Sequence, residues 1–305
     1  MSALPPPPLI RQLGKSGIAV SSLAWGMWRF KGQDLRHARS LVDAALASGI
    51  TLFDTADIYG PDNNEPFGAA EELLGRVFRE ERRLRDRIVL ATKGGIVIGT
   101  PYDSSSHYLE SAIDASLRRL GVDRIDLYQI HRPDILAHPQ EVARTIEKAR
   151  VLGKVGAFGV SNMTVAQTAA LEAFMPRHGI TLSTTQPEFS ALQLQPIEDG
   201  TLDYAMAHNL APLAWSPLGG GRIAHPQTER EHAVAKALDA VAQAQGVSRT
   251  AAAYSWIMVH PARPIPIVGS QQAERIREAA DAYKVRWTRA EWYAVLVASR
   301  GEPLP

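Results

Sequence analysis

Three things are missing from this sequence, and each absence excludes a class of protein. None of its 305 residues is cysteine, which excludes disulfide bonds, thiolate metal ligands and cysteine nucleophiles. It contains no run of 18 consecutive apolar residues, so no membrane span is predicted. It also lacks an excess of one charge, because 33 Lys and Arg are balanced by 32 Asp and Glu. We therefore expect no broad basic face for nucleic acid, although a net charge of +1 is compatible with a local cationic pocket for a phosphate.

Signals for export and for zinc binding are missing as well. The N-terminus has neither the basic segment nor the apolar segment of a signal peptide, and Pro5–Pro8 instead favour an extended arm. With no cysteine and no His-Glu-x-x-His sequence on a helix, no zinc site is expected. These observations predict a cytoplasmic protein without a metal centre.

What the sequence does contain is an ordinary globular composition, 45% apolar and 21% charged, in which strand-like runs alternate with helix-like segments. The predicted strands are Ser22–Trp25, Ile50–Asp54, Ile88–Thr92, Leu127–Ile130, Ala157–Val160, Thr184–Pro187, Ala211–Trp215 and Pro266–Val268. The predicted helices are Asp34–Ser48, Gly68–Arg79, Ser106–Leu120, Pro139–Leu152, Thr164–Phe174, Asp199–His208, Glu231–Gln245, Arg249–Val259 and Gln271–Ala282.

Eight strand-then-helix units predict a parallel α/β fold, and eight is the strand number that closes into a (β/α)8 TIM barrel. The alternative, a doubly wound open sheet, is disfavoured because no G-x-G-x-x-G sequence follows the first strand. A β-hairpin over Ile10–Val20 precedes the barrel, and an extra C-terminal helix over Trp287–Ser299 follows it. No linker interrupts the pattern, so residues 1–305 are expected to form a single domain.

Polar and aromatic residues close seven of the predicted strands. They are Asp54, Lys93, His131, Ser161 with Asn162, Gln186, Trp215 with Ser216, and Ser270. In a barrel of this kind the carboxyl ends of all strands meet at one face, where active sites are built. Strands also end in polar residues simply because loops are polar, but that alternative explains Ser and Gln better than it explains Asp, Lys and His together.

Four of these residues suit acid catalysis without a metal. Lys93 can pair with Asp54, and its ammonium is expected to lower the pKa of the nearby Tyr59 phenol from about 10 towards neutrality. Tyr59 could then give a proton to a developing alkoxide, and His131 could donate a hydrogen bond to the same oxygen. Each residue alone has another explanation, since a tyrosine can be a packing residue, a histidine can cap a loop and Asp54–Lys93 can be a structural ion pair.

Three further segments suit a dinucleotide, which hydride chemistry would require. Ser161, Asn162 and Gln186 carry hydrogen-bonding groups for a carboxamide, and the indole of Trp215 could stack on a nicotinamide. Ser216–Arg222 follows, where Leu218 and Gly220 belong to a loop whose backbone N–H groups can approach a pyrophosphate and Arg222 adds a charge. A plain flexible loop would explain the same glycines. Ser270 and Arg275 then suit a phosphate at a helix start.

Together these stretches resemble the aldo-keto reductase family along Ile10 to about Ser299, and most of all its bacterial YdhF-type oxidoreductases. The stretches that carry the resemblance are Phe53–Gly60 (FDTADIYG), Ala91–Gly95 (ATKGG), Asp126–Asp134 (DLYQIHRPD), Gly159–Asn162 (GVSN) and Trp215–Gly219 (WSPLG).

The resemblance implies a catalytic tetrad at Asp54, Tyr59, Lys93 and His131, and nicotinamide contacts at Ser161, Asn162, Gln186 and Trp215. It implies an NADPH-dependent reduction of a small-molecule carbonyl, with NADP as the product cofactor, by a protein that is a monomer as a rule. One departure is Gly269, where many members carry a lysine beside the 2′-phosphate, so discrimination against NADH is expected to be weaker.

Two other functions are compatible with this fold. A catalytically idle NADP(H)-binding regulatory subunit is one, and the intact set of four residues argues against it. A different barrel enzyme is the other, such as a hydrolase or an aldolase that uses Lys93 for a Schiff base, and Asp54 argues against it because the pair would keep the lysine charged.

Overall fold

Eight parallel strands close into a barrel in the computed structural model, which describes residues 3–304. The barrel strands are β3 (Ala24–Gly26), β4 (Leu52–Asp54), β5 (Val89–Gly94), β6 (Ile125–Ile130), β7 (Val155–Ser161), β8 (Leu182–Gln186), β9 (Ala211–Ala214) and β10 (Ile265–Val268). They follow one another in sequence order around the barrel, and β10 closes it against β3. The predicted (β/α)8 barrel is confirmed.

The predicted hairpin is confirmed as β1 (Ile10–Gln12) and β2 (Ala19–Ser21), an antiparallel pair outside the barrel sheet. Its buried Leu13 and Val20 pack in one apolar cluster with barrel residues such as Leu52, Ala91 and Leu127. The hairpin therefore seals the amino-terminal end of the barrel with apolar side chains.

The inner face of the barrel changes from apolar to polar along its axis. In β4, β5 and β6 the apolar residues Leu52, Ala91 and Leu127 are each followed two positions later by Asp54, Lys93 and Gln129. Because side chains alternate across a strand, residues two apart point the same way. The polar residues therefore form a layer directly above the apolar plug, at the carboxyl end.

Helices surround the barrel and differ from the predicted ones mainly at their ends. They are α1 (Leu35–Ala47), α2 (Ala69–Glu80), α3 (Ser106–Leu120), α4 (Pro139–Val151), α5 (Val165–Glu172), α6 (Gln195–Glu198), α7 (Thr201–His208), α8 (Glu229–Gln245), α9 (Arg249–Met258), α10 (Ala273–Glu278) and α11 (Arg289–Arg300). Helix α8 begins two residues before the predicted Glu231 because Thr228 and Glu231 form a capping box. No helix within residues 3–304 is long and apolar enough to cross a membrane.

The predicted helix Gln271–Ala282 is the one that differs most. Only α10 is α-helical, and a 3-10 helix continues over Ala279–Lys284. Residues three apart lie on one face of a 3-10 helix. On that turn Ala279 and Ala282 are both fully buried in the core.

Candidate active site

The Asp54–Lys93 ion pair lies at the polar end of the barrel interior. The Lys93 ammonium nitrogen is 2.7 Å from Asp54 Oδ2 and donates a second hydrogen bond, 2.8 Å long, to the backbone oxygen of Thr55. Lys93 is fully buried and Asp54 is 2% exposed. Burial alone would lower the pKa of Lys93, but its interactions with Asp54 and, to a smaller extent, with Tyr59 outweigh burial and raise that pKa. Lys93 is therefore protonated at neutral pH, which disfavours a Schiff-base role.

Tyr59 lies in the loop after β4 and is partly exposed at the barrel mouth. The Lys93 nitrogen is 5.0 Å from the centroid of the Tyr59 ring, and the His131 ring meets that ring edge-on at a centroid distance of 5.8 Å. The structure therefore brings together the four residues predicted to act as acid, ammonium, carboxylate and imidazole.

The predicted lowering of the Tyr59 pKa is wrong. Burial is the largest effect and raises the pKa of Tyr59. Lys93 opposes burial through its charge and a hydrogen bond, and Arg132 opposes it through its charge, yet the net shift is upward. The sequence showed the neighbouring ammonium but not how far the phenol is withdrawn from water, and the second effect is larger.

His131 is 8% exposed, and its imidazole is held neutral. Burial first, and then the charges of Lys93 and Arg132, lower the pKa of His131 well below its ordinary value. Its Nδ1 atom is buried and makes no hydrogen bond within residues 3–304. A neutral imidazole has one N–H to donate, as an orienting group for a substrate oxygen requires.

The four residues predicted to bind a nicotinamide are joined by hydrogen bonds. The Trp215 indole N–H donates to Asn162 Oδ1 over 2.9 Å, and Asn162 Nδ2 donates to Ser161 Oγ over 2.8 Å. Ser161 Oγ in turn donates to the backbone oxygen of Gln186 over 3.0 Å. Asn162 has a φ of 58°, a left-handed conformation that turns the chain sharply at the end of β7. These side chains form one hydrogen-bonded group beside the catalytic residues.

The glycine-rich loop after β9 is a single 3-10 turn over Gly219–Gly221. Ser216 begins it with a φ of 51°, and its hydroxyl accepts the backbone N–H of Gly220 over 2.9 Å. Leu218 packs against the core, whereas Gly220 is exposed and has no heavy atom near its Cβ position. Arg222 donates to the Gly219 oxygen over 2.8 Å and lies 3.6 Å from Glu231, so its charge is shared with a carboxylate.

The predicted phosphate site after β10 lies in an open segment. Gly269 and Arg275 are exposed, and Ser270 is partly buried. The Ser270 hydroxyl accepts the backbone N–H of Gln272 over 3.2 Å, and its backbone oxygen accepts the Trp25 indole N–H over 3.0 Å. No acidic side chain within residues 3–304 forms an ion pair with Arg275.

Two residues of the site were missed from the sequence. Gln129 is fully buried beside Asp54, and Arg132 is partly buried with its guanidinium carbon 5.7 Å from the Trp215 ring. Gln129 could have been found by alternation, since it lies two positions after the inward-facing Leu127. Arg132 follows His131 directly, but in a loop no periodicity indicates its direction.

A parallel eight-stranded barrel with these residues at its mouth suits an oxidoreductase of the (β/α)8 type. The chain belongs to the aldo/keto reductase family, whose sequence model matches residues 22–296.

Several relatives match over almost their whole length. A 6-dehydroglucose reductase of Novosphingobium aromaticivorans is 62% identical over 307 residues, which cover 100% of both chains. A 6-dehydroglucose reductase of Agrobacterium fabrum is 35% identical over 93% of this chain and 96% of its own. The oxidoreductase YdhF of Escherichia coli is 34% identical over 96% of this chain and 98% of its own, which confirms the expected similarity to YdhF-type oxidoreductases.

Proposed function

We propose that this protein is an NADPH-dependent reductase that converts an aldehyde or ketone to an alcohol, with Tyr59 as the general acid. The observation that carries the proposal is the buried ion pair of Lys93 and Asp54 directly beneath the Tyr59 ring. A cation held there by a carboxylate stabilises a phenolate once the tyrosine has given up its proton.

The substrate we propose is 6-dehydroglucose, a sugar aldehyde. A relative that is 62% identical along the whole chain bears the name 6-dehydroglucose reductase. Arg132 supports a polar substrate, because its partly buried guanidinium lies near Tyr59 and His131 and forms no ion pair among residues 3–304. Guanidinium N–H groups are suited to the hydroxyl oxygens of a sugar.

The residues at the mouth fit a reduced nicotinamide dinucleotide. Asn162, Ser161 and Gln186 present amide and hydroxyl groups for the carboxamide, and Trp215 presents a partly exposed indole face. The open backbone at Gly220, with Ser216, Leu218 and Arg222, fits a pyrophosphate, and Ser270 with Arg275 fits a 2′-phosphate. NADPH, rather than NADH, is favoured by the cation at Arg275.

The protein's own residues handle the proton and the developing charge. When bound, the reduced nicotinamide supplies a hydride to the carbonyl carbon. Tyr59 then gives its proton to the carbonyl oxygen, which completes the alcohol, and Lys93 stabilises the phenolate left behind. His131, held neutral, donates a hydrogen bond that orients the carbonyl oxygen towards Tyr59. We further propose that the chain works as a single-domain monomer in the cytoplasm, with no nucleic acid or membrane as a partner.

The direct test follows NADPH consumption with 6-dehydroglucose and with a panel of simple aldehydes and ketones, with NADH run alongside. We expect turnover with 6-dehydroglucose at a higher kcat/KM than with an apolar aldehyde such as butanal. Turnover of butanal without turnover of 6-dehydroglucose would reject the proposed substrate. No turnover of any carbonyl with either cofactor would reject the reductase.

A further inference from the structure

Two amide side chains converge on one oxygen of Asp54 inside the barrel. Gln186 Nε2 lies 3.1 Å from Asp54 Oδ1, and Gln129 Nε2 lies 3.5 Å from the same atom. Lys93 occupies the other oxygen, Oδ2. All three residues are at least 98% buried, as is Asp54 itself. Asp54 accepts every one of these contacts, because ammonium and amide N–H groups can only donate.

The far end of the Gln129 amide is held as well, and that of the Gln186 amide lies near Ser161. Gln129 Oε1 accepts the Thr184 hydroxyl over 2.9 Å, and Gln186 Oε1 lies 3.5 Å from Ser161 Oγ. A carboxylate can only accept hydrogen bonds, so each glutamine must turn its NH2 group towards Asp54 and its oxygen away from it. For Gln186, the oxygen then faces Ser161, where Asn162 also lies.

We propose that Asp54 has two functions. It pairs with Lys93 among the catalytic residues, and it orients the Gln186 amide so that the amide oxygen faces the carboxamide of the cofactor. Gln129 and Thr184 are positioning residues that hold Asp54 in place for this purpose. The inference rests on the proposed function only in assuming that a nicotinamide dinucleotide binds beside Ser161 and Asn162.

This arrangement makes cofactor affinity depend on Asp54 through the orientation of the Gln186 amide. The side chain of an asparagine at position 54 can donate as well as accept. Either orientation of the Gln186 amide could then form a hydrogen bond with it, so the amide would no longer be held in one orientation. A flipped amide would present NH2 to the carboxamide NH2, and part of the affinity for NADPH would be lost. The part of the loss that passes through Gln186 disappears when that side chain is replaced.

The test is a double-mutant cycle read by NADPH binding, with the quenching of tryptophan fluorescence as the signal. The parent, Asp54→Asn, Gln186→Leu and the double variant are compared. We expect Asp54→Asn to raise the Kd for NADPH about fivefold when Gln186 is present, and less than about twofold when it is leucine. An equal rise in both backgrounds would overturn the proposal.

A second pair tests the positioning residues without altering the ion pair. Thr184→Val removes the hydroxyl that orients Gln129, and Thr184→Ser retains it. We expect Thr184→Val to weaken NADPH binding about twofold or more, and only in the presence of Gln186, whereas Thr184→Ser binds as the parent does. Equal affinity in both variants would reject the positioning role. The binding signal separates this inference from the proposed function, since a protein that binds NADPH but reduces no carbonyl would reject only the latter.

Discussion

At the scale of single residues, burial decides which group holds a proton and which holds a charge. Tyr59 and His131 are both withdrawn from water, which favours the neutral form of each. Lys93 is buried even more completely but stays charged because Asp54 is 2.7 Å away. The site therefore combines two neutral donors with one fixed cation, and the phenol is the neutral donor whose conjugate base that cation stabilises.

Replacing Tyr59 by phenylalanine should abolish reduction without abolishing cofactor binding. The phenol oxygen is the atom that gives up the proton, whereas the ring keeps its place between Lys93 and His131. We expect kcat to fall by about 10²- to 10⁴-fold, the usual contribution of general acid catalysis. The measurements are steady-state turnover and the Kd for NADPH in parent and variant. Equal turnover would remove Tyr59 from its proposed role.

The imidazole of His131 should not titrate in the neutral range. Its pKa is lowered well below 6.5 by burial, by Lys93 and by Arg132, so it stays neutral as the pH falls from 8 towards 6. We expect log kcat/KM to show no ionisation near pH 6.5. A fall in rate centred between about pH 6 and 7 that disappears in His131→Gln would contradict this expectation.

Asp57 is a buried carboxyl whose charge opposes folding. It is 1% exposed, its Oδ1 has no hydrogen-bond partner within residues 3–304, and its Oδ2 is 3.5 Å from the Tyr108 hydroxyl. Burial, and then the charge of Glu71, raise the pKa of Asp57 to about 8. The pKa of this carboxyl is therefore higher in the folded protein than in the unfolded chain, where it is about 4. Asp57 contributes its full stabilisation to the fold below about pH 4, and this contribution is lost as the pH rises to 8.

Asp57→Asn should therefore gain stability relative to the parent as the pH rises. Between pH 5 and 8 the ionisation of Asp57 lowers the free energy of unfolding of the parent by up to about 1.4 kcal/mol per pH unit. Asparagine cannot ionise, so the variant does not lose this free energy. The measurement is urea unfolding of both proteins at the two pH values. Comparing the two proteins at the same pH cancels the opposite contribution of His131. A difference between them that is the same at pH 5 and pH 8 would show that Asp57 ionises freely.

At the scale of elements, the strands could be predicted because each is a short apolar run that a helical segment follows. All eight predicted strands overlap the observed ones, and β5 continues to Gly94 beyond the predicted Thr92. Helix ends were harder to predict than strands. A capping residue such as Thr228 starts the helix at a position that precedes the first residues of the apolar pattern. Asp54, Lys93 and His131 were found since they close strands. Gln129 was missed because it stands inside one, and the direction of the Tyr59 pKa was missed because it depends on burial.

The C-terminal helix α11 is held by a pair of tryptophans. Trp292 stacks on Trp256 of α9, with ring centroids 4.9 Å apart and planes 11° from parallel. Each indole N–H donates to the backbone oxygen of the other residue over 3.0 Å. Trp292 is only 8% exposed, so the helix is fixed to the barrel by both packing and hydrogen bonds.

Trp292→Ala should destabilise the protein strongly, and its neighbour should not. Truncation of a buried tryptophan costs about 3–5 kcal/mol, and here two hydrogen bonds are affected as well. Tyr293, which is 43% exposed, is the control, and Tyr293→Ala should cost less than about 1 kcal/mol. Urea unfolding measures both. Similar losses in the two variants would show that α11 is not anchored through Trp292.

At the scale of the whole molecule, the proposed cofactor site spans the barrel mouth from β7 to the segment after β10. Its parts are more than 100 positions apart in sequence, with Asn162 at one end and Arg275 at the other. Only closure of the barrel brings them to one face. The end near Arg275 differs from the rest, because Gly269 supplies no charge there and Arg275 is the exposed cation of that segment closest to Ser270.

Arg275→Ala should therefore weaken NADPH binding more than NADH binding. The two cofactors differ in the 2′-phosphate alone, and a guanidinium–phosphate contact is worth about 1.5–3 kcal/mol, or roughly tenfold or more in Kd. Arg277 lies two positions further along α10, about 200° around the helix axis, and is exposed as well. Arg277→Ala removes the same charge from the same helix and should leave the ratio of the two Kd values as it is in the parent. If Arg275→Ala also leaves that ratio unchanged, the 2′-phosphate binds elsewhere, and the weaker charge at this end would allow the protein to accept NADH nearly as well as NADPH.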